Sequence, residues 1–161
     1  MQKILLVGCT GEIGSRLCLE LLGKGYVVFG LRKSKHCEIK HINHSCTKID
    51  LLNSNLRLDL KSIRPEILIH CAWITEPNIF WNSPTNKVWV DQSKKIINEF
   101  ENIGGKYLVV MGTCAEYSWN NNDLLHEESL ENPETEYGKS KIELLNWIRE
   151  RSIPFLWPNI L

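Results

Sequence analysis

The sequence has no long apolar run, no excess of charge of either sign, no internal repeat and no low-complexity tract. Each absence removes a class of function. After Met1, Gln2 and Lys3 come only five apolar or glycine residues, too few for a signal-peptide core or a membrane span. Basic and acidic residues balance at 19 each, so no global field points to nucleic acid, a membrane surface or an acidic partner. The six cysteines, at 9, 18, 37, 46, 71 and 114, include no Cys-x-x-Cys pair. Without a secretion signal they read as free thiols of a cytoplasmic protein. Cys37 and Cys46 fall near His36, His41 and His44, but the spacing fits no zinc pattern well. A polar loop without metal is the expectation there.

What is present is ordinary for a globular chain: 43% hydrophobic and 24% charged residues in 161. That length suits one domain, residues 1–161, with a sizeable core. Short apolar runs alternate with longer amphipathic ones. Residues 3–7 form a buried strand ended by Gly8. Apolar residues at 13, 17, 18, 21 and 22 make a helical stripe that Gly23 and Gly25 stop. Residues 26–31 make a second strand, and residues 34–46 are polar and irregular. Residues 47–49 make a third strand running into Asp50, and residues 55–63 a weak helix before Pro65. Strands follow at 66–71, 107–111 and 153–157, with helices at 86–102 and 137–151 and a polar loop over 118–136. This alternation implies parallel strands joined by right-handed crossovers, a doubly wound α/β sheet of the Rossmann type. Ligands of such sheets sit beyond the carboxyl ends of the strands.

Three groups of residues fall at those ends. Gly8-Cys9-Thr10-Gly11-Glu12-Ile13-Gly14 links the first strand to the first helix. Glycines at 8, 11 and 14 permit a tight turn, a close backbone approach to a pyrophosphate, and close helix–strand packing. The helix N-terminus then offers N–H groups to the phosphates. The second strand ends in Arg32 and Lys33, and no acid lies between Glu20 and Glu38. An NAD site places an acid there for the ribose hydroxyls. Two cations instead suit a 2′-phosphate, so the cofactor is NADP or NAD with NADP favoured; a solvated basic loop is the alternative. Third, Tyr137 and Lys141 stand one helical turn apart, where an ammonium favours a phenolate and draws its pKa toward neutrality. Thr113, just past the fifth strand, opens onto the same crevice.

Together these residues resemble the extended short-chain dehydrogenase/reductases, the NAD-dependent epimerase/dehydratase family of nucleotide-sugar oxidoreductases. The glycine turn is similar to that family's Gly-x-x-Gly-x-x-Gly. Asp50-Leu51 resembles its acid–hydrophobe pair beside adenine, and Cys71-Ala72-Trp73 its strand end beside the cofactor. The resemblance implies that Tyr137 is the acid/base, that Lys141 lowers its pKa and holds the nicotinamide ribose, and that Thr113 orients a sugar hydroxyl or ketone. It implies Gly8, Gly11, Glu12, Ile13, Gly14, Arg32, Lys33, Asp50, Leu51, Cys71, Ala72, Trp73 and Lys141 at the cofactor, a nucleotide-sugar substrate, no metal, and a homodimer through the helices at 86–102 and 137–151. Four departures stand out. Glu12 replaces an aromatic residue, and Asp91 an asparagine. Cys114-Ala115 replace the acids of 4,6-dehydratases, which favours reductase or epimerase chemistry over elimination. The chain also ends where relatives continue into a last strand and a small sugar-gripping domain, which reads as a C-terminal truncation. A non-catalytic or remnant dinucleotide-binding module is the second reading.

Overall fold

The structure is a computed structural model that describes residues 1–33, 36–52, 59–118, 125, 126 and 128–160. Its strands are β1 (Lys3–Val7), β2 (Val27–Arg32), β3 (His44–Lys48), β4 (Ile67–His70), β5 (Tyr107–Val110), β6 (Gly112–Thr113), β7 (Phe155–Leu156) and β8 (Asn159–Ile160). Its helices are α1 (Glu12–Gly23), α2 (Leu60–Ile63), α3 (Thr85–Asn102) and α4 (Glu136–Arg149), with single 3-10 turns at Phe80–Asn82 and Cys114–Glu116.

Six strands form one parallel sheet in the order β3-β2-β1-β4-β5-β7. The order reverses between β1 and β4, the switch point at which such sheets open a crevice. Alternation along β1 divides the core. Leu5 and Val7 point to one face, where Leu68, Leu108, Ile96, Ile97, Phe100, Leu144 and Ile148 pack. Ile4 and Leu6 point to the other, against Val28, Ile69, Cys18 and Leu22. The doubly wound sheet expected from the strand–helix alternation is therefore present.

Three expected elements differ. β3 begins at His44, inside the stretch read as irregular, because its pairing with β2 runs Val28↔His44 to Arg32↔Lys48. An edge strand needs no apolar run on its open side, so backbone pairing governs where the side chains carry no signal. The helix expected over 55–63 is described only as Leu60–Ile63; residues 53–58 lie outside the described residues. Asp59 caps it by accepting from the Ser62 N–H, and Arg64 ends it in a left-handed conformation (φ 50°) before Pro65. The expected strand over 153–157 is shortened to Phe155–Leu156, and a further short strand follows Pro158. Phe155–Leu156 pair with β5, while Asn159–Ile160 pair with β6 in a separate two-stranded ladder.

Phe100 anchors the α3 face. It is fully buried, and Gly105 leaves room for its ring, since a Cβ there would lie 2.4 Å from the ring edge. Phe100→Ala is expected to cost about 3–5 kcal/mol of unfolding free energy in urea. A loss below about 1 kcal/mol would mean that α3 is not packed as described.

Candidate functional site

The glycine turn is held from three sides by backbone. The N–H groups of Gly8 and Cys9 both donate to the Leu31 carbonyl, at 2.8 and 3.1 Å, which ties the turn to the end of β2. Gly8 takes φ +85°, and a Cβ on it would meet the Ala72 nitrogen at 2.9 Å. Gly14 lies so close to the turn that a Cβ would approach the Gly8 carbonyl oxygen to 2.2 Å. Gly11 is the N-cap of α1 and supplies no side-chain cap. Glu12 and Ile13 in the first turn are exposed. Glu12 turns outward to Arg16, at 3.2 Å with both side chains in water, so its carboxylate is committed away from the turn. The leading amides of α1 thus face the turn with their dipoles aligned.

Near this turn stand the other residues expected at the nucleotide end. Arg32 is half-buried at the end of β2 and Lys33 is exposed. Lys33 lies 3.7 Å from the Asp50 carboxylate, whose other oxygen accepts the Leu52 N–H at 3.0 Å. Leu51 is buried beside it in the core.

The second group lies past β4 and β5. Gly8 against Ala72 joins it to the first. Thr113 is buried on β6, and the 3-10 turn after it forms a capping box: Glu116 accepts the Thr113 N–H at 2.9 Å, and Thr113 Oγ1 accepts the Ala115 N–H at 3.3 Å. Thr135 caps α4 by accepting the Gly138 N–H at 3.1 Å. Gly138 packs on the Ala115 carbonyl, where a Cβ would come within 2.3 Å, so α4 sits tight against the Thr113 segment. That approach brings Tyr137 beside Thr113. Lys141, one turn on, is fully buried and donates to the Met111 carbonyl at 2.7 Å.

The electrostatics depart from expectation at one point. Lys141 was expected to draw the Tyr137 pKa down. Burial instead raises it; the Thr113 side chain opposes that rise and nearby Glu116 adds to it. The Lys141 ammonium lies 4.0 Å over the Trp73 ring and 5.8 Å from the centroid of the tyrosine ring. Burial lowers Lys141 itself from 10.5 to about 7, with Glu116 and Cys71 working against the fall. Cys71 is pushed up to about 11 by burial. His70 behaves as a core residue: its Nε2 lies 3.1 Å from Ser93 Oγ, and burial holds its pKa at about 3.

Three site residues, Glu116, Phe80 and Trp81, escaped the sequence reading. Glu116 is buried, raised above the ordinary carboxylate range by burial, and accepts from Trp157 Nε1 at 3.0 Å. Its Thr-x-x-Glu spacing from Thr113 is a capping-box signal that was there to be found. Phe80 and Trp81 set ring edges against Tyr137, at 5.1 and 6.0 Å between centroids. Trp81 is 43% exposed. The proline-flanked loop that carries it follows no period that would place a side chain. Trp73 is buried at the site, stacked on Trp89 and donating from Nε1 to Asn86 Oδ1 at 2.8 Å.

Open amides at a switch point, with a threonine, tyrosine and lysine beyond the neighbouring strands, place the chain in the doubly wound α/β class. The chain matches the model of the NAD dependent epimerase/dehydratase family over residues 4–152, and it belongs to that family. It is 25% identical over 146 residues to methionine adenosyltransferase 2 subunit beta of Bos taurus, covering 88% of this chain and 41% of that protein. Among solved structures, UDP-glucose 4-epimerase of Thermotoga maritima superposes with a TM-score of 0.81 at 20% identity, over 97% of this chain and 54% of that one. UDP-glucuronic acid 4-epimerase of Bacillus cereus, solved in complex with NAD, superposes with a TM-score of 0.76 at 20% identity, over 97% and 54%. The chain therefore spans about half the length of the solved structures it matches.

The buried lysine has a pH signature. Between about 7 and 10.5 the unfolded chain holds a proton on Lys141 that the folded chain releases, so folding gains stability as pH rises through that window. Below about 7 the full cost of the buried charge is present. Lys141→Met removes this dependence. The stability of the variant relative to the parent is expected to be highest below pH 7 and to decline toward pH 10, at up to about 1.4 kcal/mol per pH unit. A difference that stays flat in urea titrations across this range would rule out a titrating, buried Lys141.

Proposed function

We propose that the chain binds NADP or NAD at the turn Gly8–Gly14 and serves hydride transfer at a nucleotide-linked sugar, with Thr113, Tyr137 and Lys141 as the reacting set. The observation that carries this reading is the tight packing of Gly138 on the Ala115 carbonyl, which sets Tyr137 beside Thr113 with Lys141 one turn along α4, across the sheet's switch point from the open amides of α1. Backbone N–H groups of the turn hold the diphosphate. Arg32 and Lys33, at the end of β2, favour the 2′-phosphate of NADP, and Asp50 and Leu51 lie beside the adenine end. Cys71, Ala72 and Trp73 line the nicotinamide end. The dinucleotide supplies or accepts the hydride when bound.

The protein's own part is proton transfer and positioning. Burial keeps Tyr137 protonated, which suits a phenol that donates to a ketone oxygen as that oxygen gains charge. Thr113, beside Tyr137, orients the same oxygen. Lys141 uses one donor on Met111 and has two more for a ribose hydroxyl and for the phenolate once it forms. Cys114 and Ala115 offer no acid for water elimination, so reduction or epimerisation is favoured over dehydration. The six described cysteines form no disulfide, which fits a reducing cytoplasm. α3 and α4 lie side by side, tied by Lys94 and Glu143 at 2.7 Å, and form the surface through which a homodimer would pair.

One observation supports the second reading, a binding module without turnover. The bovine protein matched along most of this chain is named as a subunit of methionine adenosyltransferase. The two readings part on one experiment: titration of NADPH and NADH by fluorescence, then hydride transfer with 4-keto sugar nucleotides. Arg32→Ala is expected to weaken NADPH about tenfold and NADH little, the worth of one charge-assisted hydrogen bond. Equal losses would remove the phosphate role. Tyr137→Phe is expected to cut turnover by about 10²–10⁴. Turnover that survives it would refute the assignment of Tyr137, and binding without turnover in the parent chain would favour the module.

A further inference from the structure

Three cysteines from three separate segments converge behind the glycine turn. Cys9 sits in the turn itself, Cys37 between β2 and β3, and Cys46 on β3. Their sulfurs all lie within 4.8 Å of one another. Cys9 Sγ is 3.4 Å from Cys46 Sγ. His44 precedes Cys46 by two residues on β3, so both side chains leave the same face of the strand. His44 Nδ1 lies 3.2 Å from the Ile39 carbonyl oxygen. Donation there fixes the tautomer and leaves the lone pair on Nε2. That Nε2 is buried without a hydrogen-bond partner among the described residues. Gly30, opposite Cys46 in the register, marks where these groups meet: a Cβ built on it would lie 2.5 Å from Cys9 Sγ and 3.3 Å from His44 Nε2.

We propose that Cys9, Cys37, Cys46 and His44 form a tetrahedral site for a thiophilic divalent cation of the zinc type. Zinc–sulfur bonds of about 2.3 Å at tetrahedral angles set sulfurs roughly 3.8 Å apart, and here Cys9 and Cys46 lie at 3.4 Å with Cys37 within 4.8 Å of both. Three thiolates and one imidazole are a donor set that such an ion takes ahead of magnesium or calcium. On binding, three thiol protons pass to solvent and the site carries one net negative charge. The Arg32 side chain, whose positive charge already acts on Cys46, offsets it. A Cys9–Cys46 disulfide would use two of these groups and leave Cys37 and the orphaned imidazole nitrogen without a purpose. The half-buried Cys37 and Cys46 leave a way in for the ion. Once bound, it pins the turn after β1 to the edge strand β3. The sequence spacing conceals the site, because Cys9 stands far from the other three along the chain.

The test uses the whole chain, purified under reducing conditions and loaded with Co²⁺. One cobalt per chain is expected, with intense visible d–d bands of tetrahedral cobalt, thiolate-to-cobalt charge transfer in the near ultraviolet, and displacement by Zn²⁺. Cys37→Ser lies outside every helix and strand, so it leaves the fold in place. It is expected to weaken metal binding more than about 100-fold, since even an outer partner of a ligand is worth 10–100-fold. Cys46→Ser is expected to do the same, and Cys114→Ser to bind as the parent does. The proposal is overturned if the reduced parent shows no tetrahedral cobalt spectrum, or if Cys37→Ser and Cys46→Ser bind cobalt as the parent does. It is equally overturned if the protein isolated without reductant is metal-free with Cys9 joined to Cys46.

Discussion

The approach of Gly14 to the Gly8 carbonyl sets the distance between α1 and the sheet, and much of the structure follows from it. Both sides of that contact are backbone, as are the atoms of Ala72 that Gly8 meets. Backbone cannot change rotamer to yield, so the geometry holds only while both positions carry no side chain. The start of α1, the end of β4 and, through the Leu31 carbonyl, the end of β2 are fixed to one point. The amides that face outward from that point are aligned by the fold before any ligand arrives, which removes part of the ordering cost of binding.

The other half of the site is organised by buried polar groups rather than by close backbone contact. Glu116, Thr113, Trp157 and Lys141 are linked through hydrogen bonds and charge in a setting with little water. Such groups cost folding free energy when buried, and each member needs its partners. β8 pairs with β6 alongside Thr113, and Trp157 closes over Glu116. The segment after β7 is therefore part of the scaffold of Tyr137 and Thr113, although it lies at the opposite end of the chain from the glycine turn.

The parallel sheet and the glycine turn were legible because their signals are local: an apolar run, then glycines, then a helical stripe. Tyr137 and Lys141 were legible from their spacing on one helix. Residues that act through long-range contact were not. β3 carries His-Ser-Cys-Thr-Lys, with no apolar alternation, and exists because β2 offers it an edge. Phe80 and Trp81 reach Tyr137 from an irregular loop, for which periodicity predicts no direction. The Tyr137 pKa was misjudged for a related reason. Helical spacing brought Lys141 close to the tyrosine, but the Met111 carbonyl and the face of Trp73 direct where its ammonium points. Helical spacing reports proximity along one element and is silent on what competes for a side chain from another.

The indoles at this end of the sheet have an optical consequence. Trp73, Trp81 and Trp157 all lie about the Tyr137–Lys141 pair, in surroundings that run from buried to open. Indole emission shifts with local polarity and is quenched by neighbouring groups. The crevice therefore carries its own chromophores, and its filling or wetting registers in the light the protein emits without any label attached.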